Sequence, residues 1–184
     1  MLTYEDKLSR LQSLVGNTPL IKLSCTFGGN PIDVYAKYEA WNFTGSIKDR
    51  MVCEILASAY DLKKIQPNSV LVEATSGNTG IALAAMGAFL GHPVHIYMPS
   101  WLSDERKRLL RFYGAKLFEI SAKEGGFLHC IAMAKEKSKK KGYFGPKQFE
   151  NSWNVLAHMS STAPEIEATL LTHNISKVDA FVAG

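Results

Sequence analysis

The sequence predicts an α/β fold built on parallel strands. Three observations point there. Short apolar runs alternate with stretches of helical periodicity along most of the chain, which is the pattern of successive βαβ units. The central run, "SVLVEAT" (69–75), passes through a loop of small residues directly into the small-residue stretch "NTGIALAAMGAFL". The 184 residues are 46% hydrophobic and 21% charged, enough to bury a core in an ordinary soluble globular protein.

The elements follow in order. The amphipathic, charged start "MLTYEDKLSRLQSLVG" reads as an N-terminal helix over 1–13 and lacks the pattern of a signal peptide. "PLIKL" (19–23) and "DVYAKYE" (33–39) read as strands, separated by the turn residues Gly28, Gly29, Asn30 and Pro31. A helix is predicted from Ser46 to Tyr60, a buried strand over 69–75 and a helix from about Asn78 to Leu90. Then come a strand at 93–99, a helix at 103–113 with Ser103 as cap, a strand at 115–120 and a helix from about Gly126 to Lys141. A helical segment near 152–172 and an apolar strand "VDAFVA" (178–183) complete the expectation. Repeats and low-complexity linkers are absent from the sequence.

Net charge is +4, and much of the excess sits in "KEKSKKKGY" (135–143). Bunched at a helix end, these lysines suit the helix dipole and read as a solvated terminus. A nucleic-acid surface would spread basic residues over a face with aromatics between them. Cys25, Cys53 and Cys130 show no metal or redox spacing. Cys53 and Cys130 fall in helical patterns as buried thiols, which suits a reducing compartment. No apolar run approaches a membrane span, and the expected location is the cytoplasm.

Three stretches carry chemistry. In "EATSGNTGIALAA" (73–85) a strand delivers the chain to Thr75 and a helix starts within a few residues. The first turn of such a helix has free N–H groups and positive potential, so it favours an anion. Gly77 and Gly80 permit close approach of a ligand, and Ser76, Asn78 and Thr79 add side-chain donors. A carboxylate or phosphate is the natural guest; an ordinary capped helix start, with Ser76 or Asn78 as cap, is the alternative. The stretch is neither a dinucleotide fingerprint nor a P-loop.

In "NFTGSIKDRM" (42–51), Gly45 makes a turn, Ser46 can cap and Lys48 falls in the first helical turn. The helix dipole disfavours a lysine there and is expected to lower its pKa, freeing the amine as a nucleophile. The alternative is a surface lysine paired with Asp49 or Glu54. In "GPKQFENSWN" (145–154), Gln148 and Asn151 lie between a strand and a helix, placed either to face a ligand or to serve as turn and cap residues.

"VGNTPLIKL", "GSIKDR", "EATSGNTGIALA", "QFEN" and "PEIEAT", in this order and spacing, resemble the cysteine synthase group of β-family pyridoxal-phosphate enzymes. The resemblance runs along the whole chain and implies the tryptophan synthase β-subunit-like fold. Residues 41–152, together with the N-terminal helix, would form the smaller mobile domain. Residues 14–40 and 153–184 would be an incomplete part of the larger cofactor-binding domain. Lys48 would match the lysine that forms the Schiff base with pyridoxal phosphate. Asn78 would match the asparagine that contacts the cofactor's 3′-hydroxyl. Thr75, Ser76, Asn78 and Thr79, joined by Gln148, would grip the substrate α-carboxylate.

The implied reaction is β-replacement on a small amino acid with sulfide or a thiol, of the cysteine synthase type. A hydrogen sulfide-producing desulfhydrase or a cystathionine β-synthase-like enzyme is the near alternative, and a non-catalytic anion-binding or regulatory subunit the distant one. The resemblance also implies a homodimer and a serine acetyltransferase partner. In the family a strand like "VDAFVAG" runs into a glycine-rich loop that binds the cofactor phosphate. The sequence stops at Gly184, so the 184 residues alone are expected to bind the cofactor weakly and to turn over little. Phe43 and Thr44 stand where the family commonly has Pro and Gly, Trp153 where Ala is usual, and Ala163 where Gly is usual. These changes are expected in the walls of the site and bear on the choice of substrate.

Overall fold

A computed structural model describes residues 3–183. Helix α1 (Tyr4–Gln12) opens with a capping box in which the Thr3 side chain accepts from the Asp6 N–H and Asp6 returns the bond. Strands β1 (Leu20–Phe27) and β2 (Asn30–Lys37) form an antiparallel hairpin. Its turn is tighter than the sequence suggests. Gly28 and Gly29, with φ of 58° and 83°, take the whole turn, so Asn30 and Pro31 join the ladder opposite Phe27 and Thr26.

The main sheet is parallel throughout. It contains β3 (Val70–Ala74), β4 (Val94–Pro99), β5 (Lys116–Ile120) and a two-residue β6 (Tyr143–Phe144), in the order β5-β4-β3-β6. Helices α2 (Lys48–Asp61), α3 (Asn78–Leu90) and α4 (Asp104–Phe112) cover one face, and α5 (Gly126–Ser138) covers the other. The alternation of side chains along a strand explains the two layers. Leu71, Ile96 and Met98 face the α2–α3 side, whereas Val72, Ala74 and Tyr97 face α5 with Cys130 and Ala134. Helix α3 lies against the sheet at close range because Gly87 has no side chain; a Cβ there would overlap Val94. Gly91, at φ 89°, ends α3 as a left-handed cap.

The order of the strands positions the site. From β3 the chain steps outward through α3, β4, α4 and β5, then returns across the opposite face through α5 to β6, on the other side of β3. The carboxyl end of β3 is therefore the point where the strand order reverses, which is where open α/β sheets form a binding crevice.

Two expectations require correction, and one strand went unread. The segment 152–172 is not one helix but α6 (Ser152–Ala157), a π-helical turn (His158–Thr162) and α7 (Ala163–Thr172). The two-residue β6 carries too little pattern to be read from sequence. The apolar stretch 178–183 forms no strand, and Val178, Phe181 and Val182 are exposed. An extended segment becomes a strand only beside another strand that satisfies its backbone groups, and no described strand pairs with it. Gly184 lies outside the described residues. No described helix is long and apolar enough to cross a membrane.

Candidate active site at the carboxyl end of β3

The loop after β3 is a cradle of open donors. Gly77 stands at the N-cap of α3, and no side chain caps the helix. Neither Ser76 nor Asn78 takes that role. Thr75 Oγ1 instead accepts the Gly77 N–H at 3.2 Å, which curls the turn upon itself. Among the described residues no hydrogen bond uses the N–H groups of Asn78 and Thr79. Thr75 and Thr79 are buried, while Ser76 and Asn78 are exposed. Arg106 of α4 donates to the Ser76 carbonyl at 3.2 Å, adding a cation beside the turn. Open N–H groups, helix dipole and a guanidinium together make a site for a carboxylate.

Gly80 is required by this packing. A Cβ at Gly80 would come within 2.5 Å of the Thr75 methyl. Gly80→Ala is expected to displace Thr75 from the turn and to cost about 1–3 kcal/mol of stability by overpacking. Urea denaturation of the variant against the parent measures this.

The loop after β6 closes the site from the other side. Gln148 Oε1 accepts the Thr79 hydroxyl at 2.6 Å, and Gln148 Nε2 donates to the Ala74 carbonyl at 3.2 Å. Gln148 therefore lies against the end of β3 and the first turn of α3. Asn151 resolves the other way. Its side chain accepts the Trp153 N–H at 3.0 Å as the N-cap of α6 and donates to the Pro146 carbonyl at 2.9 Å.

Lys48 opens α2, on the helix that packs against α3, and is half-buried. Ser46 does not cap in the usual sense; Ile47 is the N-cap, and Ser46 Oγ accepts the Lys48 N–H at 3.2 Å. Both carboxylates considered as partners for Lys48 are engaged elsewhere. Asp49 accepts the Thr44 N–H at 2.7 Å and the Thr44 hydroxyl, and Glu54 accepts the Ser58 hydroxyl at 2.8 Å. Among the described residues Lys48 makes no ion pair. Nor does any hydrogen bond tie its side chain to the loop after β3. A half-buried amine without a carboxylate suits a lysine that must react with a carbonyl rather than stabilise the fold.

Behind Lys48 lies a buried charge cluster that sequence reading did not anticipate. Arg50 reaches Glu39 at 2.7 Å and Glu165 at 2.7 Å, with further bonds to Thr18 at 3.0 Å and Ser161 at 3.1 Å. Lys37 adds a second cation on Glu165 at 2.6 Å. Burial alone would raise the Glu165 carboxyl, but Arg50, Lys37 and the Asn17 N–H outweigh it and hold it at about 2. His158, in the π turn, has its pKa lowered by burial and by the nearby charges of Lys48 and Arg50. Arg50 stands two residues beyond Lys48, so the cluster fixes the first turn of α2 that carries the lysine.

Of the substituted positions, Phe43 and Trp153 go into packing. Phe43 sits edge-on to Phe89 with ring centres 6.2 Å apart, and Trp153 packs on the same core with Lys64 4.7 Å above its ring. Thr44 contributes its hydroxyl to Asp49. Burial pushes the Cys53 thiol up to about 12, leaving it inert.

Residues 11–184 match the family model described as pyridoxal-phosphate dependent enzyme. The chain belongs to the pyridoxal-phosphate dependent enzymes. It is 39% identical over 180 residues to the cysteine synthase of Staphylococcus aureus (strain Mu50 / ATCC 700699), a match that covers 98% of this chain and 57% of that enzyme. It is 38% identical over 174 residues to cysteine synthase B of Escherichia coli (strain K12), covering 93% of this chain and 57% of that protein. A solved hydrogen sulfide-producing enzyme of Fusobacterium nucleatum superimposes with a TM-score of 0.89 at 46% identity, over 92% of this chain and 51% of that one. The chain therefore spans only a little over half the length of these relatives.

Proposed function

We propose that the chain carries the lysine and the carboxylate-binding loop of a cysteine synthase-type enzyme, acting on a small amino acid by β-replacement with sulfide or a thiol. The observation that carries this reading is the meeting of Thr79 and Gln148 at the end of β3, beside the open N–H groups of the α3 terminus. Lys48 would hold the cofactor, and Asn78 would meet its ring hydroxyl. The cofactor, when bound, supplies the electron sink for chemistry at the α-carbon. The residues of the chain do the rest. Thr75, Ser76, Asn78, Thr79 and Gln148 bind the α-carboxylate and fix the amino acid in one orientation. Lys48 Nζ, freed when the substrate amine takes its place on the cofactor, would then accept the α-proton as a base.

Residues 41–152 with the N-terminal helix form the smaller domain in this reading, and 14–40 with 153–184 belong to the larger one. The buried free thiols Cys53 and Cys130 support a reducing cytoplasmic setting. A homodimer completes the proposal, by analogy with the cysteine synthases it resembles.

The 46% identity to a hydrogen sulfide-producing enzyme, against 39% to a cysteine synthase, favours a second reading: release of sulfide from cysteine. Two assays separate the readings. One supplies O-acetylserine with sulfide and measures cysteine; the other supplies cysteine and measures sulfide.

The lysine assignment is tested on the 184-residue chain itself. Borohydride reduction in the presence of pyridoxal phosphate is expected to place the pyridoxyl group on Lys48 ahead of all other lysines. Peptide mass spectrometry locates it. Because the 184 residues alone are expected to bind the cofactor weakly, the labelling is followed as cofactor is raised, and labelling spread evenly over the surface lysines at every concentration would reject the assignment.

A further inference from the structure

An acid stands inside the apolar strand "VLVEAT". Glu73 is 6% exposed, and among the described residues no cation pairs with it. A carboxylate in such a place is costly unless its oxygens are matched by donors. Both are matched. Oε1 accepts the Ala74 N–H at 2.8 Å, and Oε2 accepts the Gln148 N–H at 3.2 Å. Gln148 then returns to the same place through its side chain, donating to the Ala74 carbonyl at 3.2 Å and accepting from Thr79 at 2.6 Å. Glu73, Ala74 and Gln148 form a closed ring of hydrogen bonds, and Thr79 is attached to it through the Gln148 amide oxygen. Ring and attachment join segments that lie 75 and 69 residues apart in sequence.

We propose that Glu73 is a positioning residue for the carboxylate loop: as a carboxylate it anchors Gln148 through the backbone N–H and so holds the Gln148 amide against Thr79. Its importance for substrate binding rests on the function proposed above; the anchoring rests on geometry alone. A protonated acid turns one oxygen into a donor, and a donor facing the N–H of Ala74 or Gln148 breaks the ring at that point.

Burial pushes Glu73 up to about 7, so the change falls near neutrality. The anchor is set above that pH and released below it. The charged groups that share the small cavity beside Glu73 are Lys135 of α5 and Lys147 and Glu150 of the following loop. Lys135 is engaged with Glu150 at 3.0 Å, and the negative charge of Glu150 adds to the rise at Glu73. Helix α3 carries no charged side chain, and Arg106 of α4 is directed to the Ser76 carbonyl.

The test is a nitrogen-15 NMR titration of the 184-residue chain across about two pH units on either side of neutrality. The Gln148 backbone amide, the Gln148 side-chain amide and the Thr79 amide are expected to shift together, with one midpoint near 7. Glu73→Gln is expected to flatten all three curves while the rest of the spectrum keeps its dispersion. A role confined to packing predicts no common titration. The proposal is overturned if the three signals do not titrate together in the parent, or titrate unchanged in Glu73→Gln. Should that variant fail to fold, the parent titration decides, with the Glu73 carboxyl carbon followed directly. Lys48→Ala leaves this titration intact, so failure of the cofactor assignment and failure of the Glu73 anchor are seen separately.

Discussion

Replacing Arg50 with methionine is expected to destabilise the fold by about 3 kcal/mol at neutral pH. Methionine matches the length of the arginine stem but leaves Glu39 and Glu165 facing each other across a space that is almost closed to water. The Arg50 side chain is 1% exposed, and those of the two acids are 13% and 17% exposed. Removing one member of a buried charge cluster costs more than the cluster itself contributes, because the remaining charges stay buried. Lys37 remains on Glu165, which places the loss at the lower end of the usual range.

The pH dependence follows from the acids. Glu165 is held at about 2, below its ordinary value of 4.5, and Glu39 is also lowered, with Arg50, Thr18 and Asn42 outweighing its burial. A depressed carboxyl adds stability that is fully present above its unfolded pKa and lost as pH falls towards the folded one. The gap between parent and Arg50→Met is therefore expected to narrow as pH drops from 4.5 towards 2. Urea denaturation at neutral and acid pH measures both quantities. An unchanged gap at low pH would mean that the cluster acts through packing rather than charge.

Lys48→Ala is the second large effect. Labelling by pyridoxal phosphate and borohydride at position 48 is lost, and total labelling of the chain falls to the level of exposed lysines. Under the proposed function, turnover of the full-length enzyme is expected to fall by roughly 10²–10⁴-fold from loss of the base alone, and further from loss of the cofactor's attachment. The fold should survive, since Lys48 makes no ion pair among the described residues and alanine favours helix. Unchanged far-ultraviolet circular dichroism with lost labelling is the expected pair of results. Retained turnover would move the chemistry to another residue.

The two variants separate roles that lie two residues apart. Arg50 sets where the first turn of α2 sits; Lys48 is the group that turn presents. Arg50→Met should loosen both stability and labelling, whereas Lys48→Ala should remove labelling and leave stability alone. The π turn at His158–Thr162 belongs to the same arrangement, because Ser161 accepts from Arg50 at 3.1 Å while His158 bonds Thr162 at 2.9 Å.

Much of the molecule is readable from the chain alone, and the reason is that the relevant physics is local. Apolar alternation gives β3, β4 and β5. The small residues after Thr75 mark a helix start with donors to spare, though only the structure shows that neither Ser76 nor Asn78 caps it. A lysine against the dipole at the start of α2 is visible in ten residues. Those blocks, in their order, also sufficed for the family. What the tertiary structure alone decides are the partnerships between distant segments. Gln148 finds Thr79 across 69 residues, and Arg50 finds Glu165 across 115; no periodicity encodes either. Asn151 looked as good a ligand as Gln148 until the fold spent it on a helix cap. The apolar run at 178–183 had strand composition but pairs with no strand among the described residues, and composition cannot supply one. Glu73 left a trace that was missed, an acid inside an apolar strand. Its meaning appears only when the sheet order brings the Gln148 N–H to it.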